Sequence, residues 1–509
     1  MSRPGKRRPR RSAGSLVQLP WQSVANPYPP ADPLSADQVE AIHEASLEIL
    51  ERMGIRVLHR GARALFAAAG ADVDHDTQMV RLDRALVGET VARAPPEFAL
   101  RARNPERNLE VGGNRMVIAS VGGPPFCHDL DRGRRPGSYA DLCEYLKLEQ
   151  SLNVIHMEGG GPIEPVELPA QTRHLDLYLA QIRLLDKNWK PLGLGRQRAA
   201  DAIEMGCILF DTDREGLASD PALFCVINTN SPRQIDGPMC EGIIEMAGAG
   251  QPVCITPFTL AGAMGPVTLA GALCLQNAEA LAGIVLCQLV RPGTPVVYGA
   301  FTSNVDMKSG SPAFGTPEYT KATQACGQLA RRHDLPYRSS NTTSANSVDA
   351  QAAYESEMSL WGAVTAHANV LNQGAGWLEG GLTASFEKLI IDAEMLQMMM
   401  EFLKPIQVDD QSLGLDTIAE VEPGGHFFGT QHTLDRYENA FYTPLVSDWS
   451  NYETWLESGA QSTAQRANTI WKQLLREYRQ PYLDPAIDEA LAEYVTRRKQ
   501  EIEKCSCDD

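Results

Sequence analysis

Between Met116 and Gly374 the chain repeats one pattern: a short apolar run, a loop of Gly, Pro, Asn and Ser, then an amphipathic helix. The apolar runs lie near Met116–Val121, Val154–Glu158, Pro191–Leu194, Leu223–Asn228, Val253–Thr256, Val296–Tyr298, Tyr337–Ser340 and Val370–Gly374. Helices are predicted to begin near Ser138, Pro169, Ala199, Pro238, Ala270, Pro317, Ala350 and Ser385, and the seventh carries an apolar stripe, Met358, Trp361, Thr365 and Ala368. Eight such units over roughly 285 residues predict an α/β fold, a (β/α)8 TIM barrel occupying residues 114–404. An open doubly wound sheet would usually have fewer strands and a phosphate loop after the first; Gly193-Leu-Gly195 is only a fragment of one.

Outside the repeat the texture differs. From Ser35, a plausible N-cap, Val39, Ile42, Leu47 and Leu50 fall mostly on one helical face, and Gly54 stops the run. With further helices near Gly61 and Leu82 and short strands at Leu100–Arg103 and Arg107–Val111, residues 33–113 are predicted to form an N-terminal helical cap with a small ribbon. Residues 405–509, with Gly425-His426 and an aromatic-rich stretch to Trp455, are expected as a helical C-terminal extension packed near the barrel mouth. Residues 1–32 are expected to be a disordered basic tail, since no apolar segment follows the Lys/Arg cluster as in a secretory signal.

Composition narrows the function classes. A net charge of −18 disfavours general binding to nucleic acid and suits a cationic small molecule. No run approaches the ~18 uninterrupted apolar residues of a membrane span. The 11 cysteines are scattered without a CxxC pair, and Cys505-Ser-Cys507 is too isolated for a metal site, so the chain reads as reduced and cytoplasmic.

Collected at the predicted strand ends are aromatics and a few carboxylates: Glu158, Phe258, Tyr298, Phe301, Arg338, Asn341, Trp377 and Glu379, with His432 reaching in from the extension. There is no GxSxG elbow and no HExxH, and His426 and His432 lack a Cys or Asp to complete a metal set. No metal is expected and no catalytic residue is assigned. A quaternary ammonium has no N–H to donate, so ring faces and diffuse negative charge must hold it. Phe258, Tyr298, Phe301 and Trp377 are expected to supply the rings, Glu158 or Glu379 the charge, and Arg338, Asn341 or His432 a donor for a substrate carboxylate. Asp392 and Glu394 read as helix-surface or salt-bridge residues. Lys190 and Lys308 read as poorly placed for a Schiff base, which counts against a barrel lyase.

Several long segments resemble one family. Asp349-Ala-Gln351 with Glu355, Trp377 to Lys388 (WLEGGLTASFEK), Asp392-Ala-Glu394, Gly425 to Thr433 (GHFFGTQHT), Tyr442 to Asp448 (YTPLVSD) and Trp455 are similar to the trimethylamine methyltransferase (MttB) family. The resemblance spans Pro33 to Arg498 and implies a (β/α)8 barrel that moves a methyl group from an amine to the cobalt of a separate corrinoid protein. Members acting on trimethylamine carry pyrrolysine, whereas all 509 residues here are standard, including the loop Asn341–Asp349. The resemblance therefore implies the non-pyrrolysine branch, which demethylates quaternary amines such as glycine betaine. A trimethylammonium already leaves as a neutral amine, so no catalytic acid is required. Cobalamin would be presented by the partner and not tightly bound here, since no DxHxxG signature occurs. A homo-oligomer is compatible with this reading. A betaine-binding or corrinoid-docking protein without turnover, and an unrelated barrel lyase, are the alternatives.

Overall fold

The computed structural model describes residues 16, 18–504 and the backbone of 505–506. The expected disordered tail therefore lies outside the described residues up to residue 15, and so do the Cys505 side chain and Cys507. From residue 18 onward that expectation is corrected. Val24–Ala25 pairs antiparallel with the first strand of the main sheet, and Asn26 is buried, donating to the carbonyl of Val364 at 2.8 Å.

The main sheet has six parallel strands: β1 (Arg115–Ile118), β2 (Cys225–Thr229), β3 (Val253–Ala261), β4 (Val296–Gly299), β5 (Tyr337–Ser340) and β6 (Val370–Asn372). They run in the order β1-β6-β5-β4-β3-β2 and curl into an open half-barrel. The run expected as the second strand is reduced to Met157, bridged in parallel to Ala119 and to Asn188, and the third, Pro191–Leu194, forms no strand, the nearest pairing being the bridge at Asn188. Side chains take the place of ladder bonds there. Glu158 accepts the backbone N–H of Gly161 (2.5 Å) and of Lys190 (3.1 Å), while the Lys187 ammonium donates to the carbonyls of Glu149, Leu152 and Ile155.

Around the sheet lie α1 (Ala36–Glu48), α2 (Tyr139–Ser151), α3 (Arg173–Leu184), α4 (Arg196–Leu209), α5 (Gly237–Gly248), α6 (Leu269–Val290), α7 (Pro317–Arg332), α8 (Ala350–Thr365), α9 (Phe386–Phe402), α10 (Thr463–Glu477) and α11 (Pro485–Ser506). Ser35 caps α1 in a capping box with Gln38, which satisfies two N-terminal donors at once. Gly54 follows with φ +71, where a Cβ would meet the Val80 carbonyl oxygen at 2.7 Å, so the chain can turn only through glycine. Among the described residues α6 is the one helix long and apolar enough to cross a membrane, yet 78% of its most apolar 18-residue stretch is buried. Its apolar character on all sides follows from its position, with β3 on one face and α1 and the cap helix Arg84–Val91 on the other.

The stripe on α8 turns the opposite way from a core-facing stripe: Met358 and Trp361 are 39% and 38% exposed. Small residues, among them Ser356, Ser359, Gly362 and Ala363, face inward because α7 packs closely against α8. In the extension, α10 packs on α9 and α2, and α11 on α3 and α4. The segment from His426 to Trp455, expected near the mouth, contributes no residue to the cavity described below.

Asp392 and Glu394, read as helix-surface or salt-bridge residues, are both buried, and the salt-bridge reading holds for Asp392. Glu394 accepts from the N–H groups of Leu445 and Val446 and from the Ser447 hydroxyl, which pins the returning chain to α9. Asp392 pairs with the buried Lys388 and accepts the N–H of Gly376 at 2.8 Å, which fixes the loop after β6. Removing one charge of such a pair strands the other. Asp392→Ala should therefore cost about 3–5 kcal/mol in denaturant unfolding, whereas Lys388→Met with Asp392→Asn, which discharges both and keeps an acceptor for Gly376, should cost much less. Equal losses would show that the ion pair is not what holds this loop.

Candidate active site

At the C-terminal ends of the strands the structure encloses a cavity of about 490 Å3. Its wall draws on every part of the repeat. Gly122 follows β1, Gly159 and Gly160 follow the Met157 bridge, Lys190 to Leu194 follow the Asn188 bridge, and Val226 and Asn228 belong to β2. Thr256 and Phe258 come from β3, Phe301 follows β4, Arg338 is on β5, and Asn372, Gln373, Trp377, Gly380 and Gly381 close the ring. A larger hollow of about 870 Å3, bounded by Arg196, Arg198, Glu241 and Arg498, meets this cavity at Leu194; no aromatic side chain lines it.

The aromatic side of the cavity is fixed by strand register. β3 runs on past the expected end at Thr256 and pairs with Phe301–Val305, placing Phe258 directly opposite Phe301. Their ring centroids are 5.3 Å apart, and Trp377 lies 5.9 Å from Phe301. Phe314 packs edge-on behind both Phe301 and Trp377 and holds the group together. The Trp377 indole N–H donates to the Thr343 carbonyl at 3.0 Å. Gly381, with φ +97, passes beneath the indole, where a Cβ would lie 2.5 Å from a ring carbon.

The polar side carries two cations. Arg338 is 2% exposed; its guanidinium lies 5.4 Å from the Phe301 centroid and donates to Gln373 Oε1 at 3.1 Å and, more weakly, to the Ala300 carbonyl at 3.4 Å. Its Nε is buried without a partner, and burial lowers its pKa with no carboxylate near enough to counter the effect. Lys190, 4% exposed, donates from Nζ to Asn372 Oδ1 at 2.5 Å, next in sequence to the partner of Arg338. Burial lowers the Lys190 pKa to about 8; the Glu158 carboxylate works against that shift, and Arg338 adds to it. No Asp, Glu, His or Cys is among the residues lining the cavity.

Of the residues singled out from sequence, Phe258, Phe301, Arg338 and Trp377 meet in this cavity, and the others do not. Tyr298 faces outward from β4, its hydroxyl bonded to Gln276 and Asn277 of α6 at 2.9 Å. A rigid strand aims alternate side chains to opposite sides, and Tyr298 is on the helix side. Asn341 is buried behind the wall and donates to the Gly374 carbonyl at 2.9 Å. Glu379 is already paired with Arg134 at 2.8 Å and stands outside the cavity. Glu158 is spent on backbone N–H groups beneath Gly159 and Gly160, and burial raises its pKa. His432 lies in the extension against the Gln411 carbonyl at 3.3 Å. Lys190, set aside in the sequence, is the charged side chain of this wall that pattern reading missed. Its one signal was a lysine directly ahead of an apolar run.

Comparison with known proteins places the chain. The family model described as trimethylamine methyltransferase (MTTB) matches residues 2–503. The chain is 38% identical over 470 residues to the glycine betaine methyltransferase of Desulfitobacterium hafniense (strain Y51), covering 92% of this chain and 97% of that one. It is 28% identical over 476 residues to the trimethylamine methyltransferase MttB of Desulfitobacterium hafniense (strain DSM 10664 / DCB-2), covering 92% and 94%. Among solved structures it resembles the Methanosarcina barkeri monomethylamine methyltransferase (MtmB) with a TM-score of 0.46 at 12% identity, over 89% of each chain. With a match over nearly its whole length and that identity to a relative, the chain belongs to the trimethylamine methyltransferase family.

Proposed function

We propose that this chain is a methyltransferase for a zwitterionic quaternary amine, a trimethylammonium carboxylate of the glycine betaine type. The observation that carries this reading is the pairing of the two sides of the cavity. Phe258, Phe301 and Trp377 offer ring faces suited to a cation without N–H groups. Opposite charge is demanded at Arg338, a buried guanidinium with an unused N–H and no carboxylate partner. A buried charge left unpaired is costly, and a ligand carboxylate would relieve it. Lys190, tethered next to the anchor of Arg338, would supply the second donor. Trimethylamine has no group for these cations, whereas the relative at 38% identity is named for a betaine.

The fold supports the same reading. We infer that the curled sheet closes into a (β/α)8 barrel, because the segments after Met157 and Asn188 extend it beyond β1 and face β2 across the cavity. As in such barrels, all the proposed binding groups sit at the C-terminal ends of strands.

The methyl acceptor is inferred to be the reduced cobalt of a corrinoid carried by a separate protein, which would supply the nucleophile. In the transfer, the C–N bond electrons stay on nitrogen, so the product leaves as a neutral tertiary amine and the chain need not donate a proton. Its residues act by position. Arg338 and Lys190 would fix the carboxylate, the three rings would hold the ammonium with one methyl toward the mouth, and the apolar wall would exclude water. Such orientation is worth roughly 7–11 kcal/mol of a barrier when the geometry is right.

Two outcomes are expected. Trp377→Leu should raise KM for the betaine about tenfold with little change in kcat, since a desolvated cation–π contact is worth about 1–2 kcal/mol in ground and transition state alike; an unchanged KM would remove Trp377 from the binding wall. The second concerns pH. A carboxylate binds the protonated form of Lys190, whose pKa is held at about 8, below the ordinary 10.5. Affinity should therefore be full below pH 8 and weaken as pH rises above it, by up to about tenfold per unit. Lys190→Met should bind more weakly at pH 7 and show no such fall; the same fall in the variant would assign the titration elsewhere.

A further inference from the structure

β6 ends at Asn372 and Gln373 follows it directly, yet both side chains line the cavity. An extended strand sends successive side chains to opposite faces, so two neighbours share a cavity only where the backbone leaves the strand. It does so at Gln373, whose φ of +55 is left-handed, a conformation unfavourable for any residue with a Cβ. Strain of this kind persists where the surrounding structure holds it for a use. Here it turns the Gln373 side chain back across β5.

The contacts show what that turn achieves. Gln373 Oε1 accepts from Arg338 Nη2 at 3.1 Å and from the Ser340 hydroxyl at 3.2 Å, and these two residues stand on the same face of β5. A guanidinium can only donate, so the amide oxygen must be the atom that meets it, and two donors use both of that oxygen's lone pairs. The amide nitrogen is therefore turned away from Arg338, and Nε2 has no acceptor among the described residues. Asn372 repeats the arrangement, its Oδ1 accepting from Lys190 Nζ at 2.5 Å. A neutral amide steadies a buried cation without discharging it. A Glu of the same shape at 373 would discharge Arg338 in a buried ion pair. The chain carries 64 Asp and Glu residues, and none of them lines this cavity.

We infer that Gln373 is the specificity-determining residue of this cavity: its oxygen aims Arg338, its Nε2 hydrogens offer the substrate carboxylate a further donor, and its neutrality keeps the guanidinium in need of an anion. The inference rests on the zwitterion reading given above and adds the side chain that sets it. A quaternary ammonium without a carboxylate can occupy the rings, but it leaves the guanidinium unpaired in a site closed to water, and so it is disfavoured. With Glu at 373 the chain would answer Arg338 itself. A betaine carboxylate would then meet a like charge, whereas a plain quaternary ammonium would gain an attractive one.

Calorimetric titration of the wild type, Gln373→Glu and Gln373→Met with glycine betaine and with choline tests this, alongside thermal melting of each ligand-free protein. Gln373→Glu should weaken betaine about a hundredfold and tighten choline about tenfold, which inverts the order of the two ligands. Its ligand-free form should melt no lower than the wild type, because Arg338 gains a counterion. Gln373→Met adds no charge and decides the question if the buried carboxylate prevents folding; it should weaken betaine about tenfold and leave choline nearly unchanged. A Gln373→Glu protein that still prefers betaine, a Gln373→Met protein that binds betaine like the wild type, or a parallel loss of both ligands, the mark of a merely structural glutamine, would overturn the inference and leave the zwitterion reading standing. A wild type with no preference for betaine over choline would overturn that reading, and this inference with it.

Discussion

The cavity is organised by a charge that the protein leaves unanswered. Arg338 is carried on β5 into a wall of strands, where its guanidinium finds only the Gln373 amide oxygen and a long contact to the Ala300 carbonyl. Burying such a group without a counterion costs several kcal/mol, and no fold accumulates that cost without a use for it. The surrounding structure is arranged to sustain it. Gln373 sits at φ +55 to present its side chain, Asn372 beside it holds Lys190, and Glu158 below spends its carboxylate on backbone N–H groups and does not enter the cavity. Glu158, whose charge partly offsets the burial of Lys190, is bonded to backbone N–H groups and is not among the groups acting on Arg338.

The same economy explains the aromatic side. Phe258 and Phe301 are opposite one another because β3 continues past its expected end, and Trp377 is held over Gly381 by its N–H bond to Thr343 and by the loop that Asp392 anchors through Gly376. The rings therefore stand on rigid elements, which is what a site working by orientation alone requires. Asp392 and Lys388 do not line the cavity, yet Asp392 holds the loop that carries Trp377 through the Gly376 N–H.

Much of this was legible in sequence, and the failures have physical causes. The repeat of apolar runs and loops located all six strands of the main sheet because buried parallel strands read as unbroken apolar segments. It also named Phe258, Phe301, Arg338 and Trp377. It could not give the facing of Tyr298, because a strand buried on both sides carries no polar alternation to reveal which side chains point inward. Glu158 and Glu379 were attractive as strand-end carboxylates, but their partners, the Lys190 backbone and Arg134, are distant in sequence. Lys190 was missed because its segment makes only a bridge instead of a strand, and the facing of the stripe on α8 was not legible because a solvent-facing stripe and a core stripe have the same period.

The claim on which the rest turns is that the cavity reads both ends of a zwitterion. Calorimetric titration of the protein with three ligands of one shape tests it: glycine betaine, its carboxylate-free alcohol analogue choline, and 3,3-dimethylbutanoate, in which a tert-butyl group replaces the trimethylammonium. The structure predicts that the betaine binds at least tenfold more tightly than either half-matched analogue, and that Arg338→Met brings the betaine down to the level of choline. Equal binding of choline and betaine by the wild type would contradict it, for the buried guanidinium would then have no part in choosing the substrate.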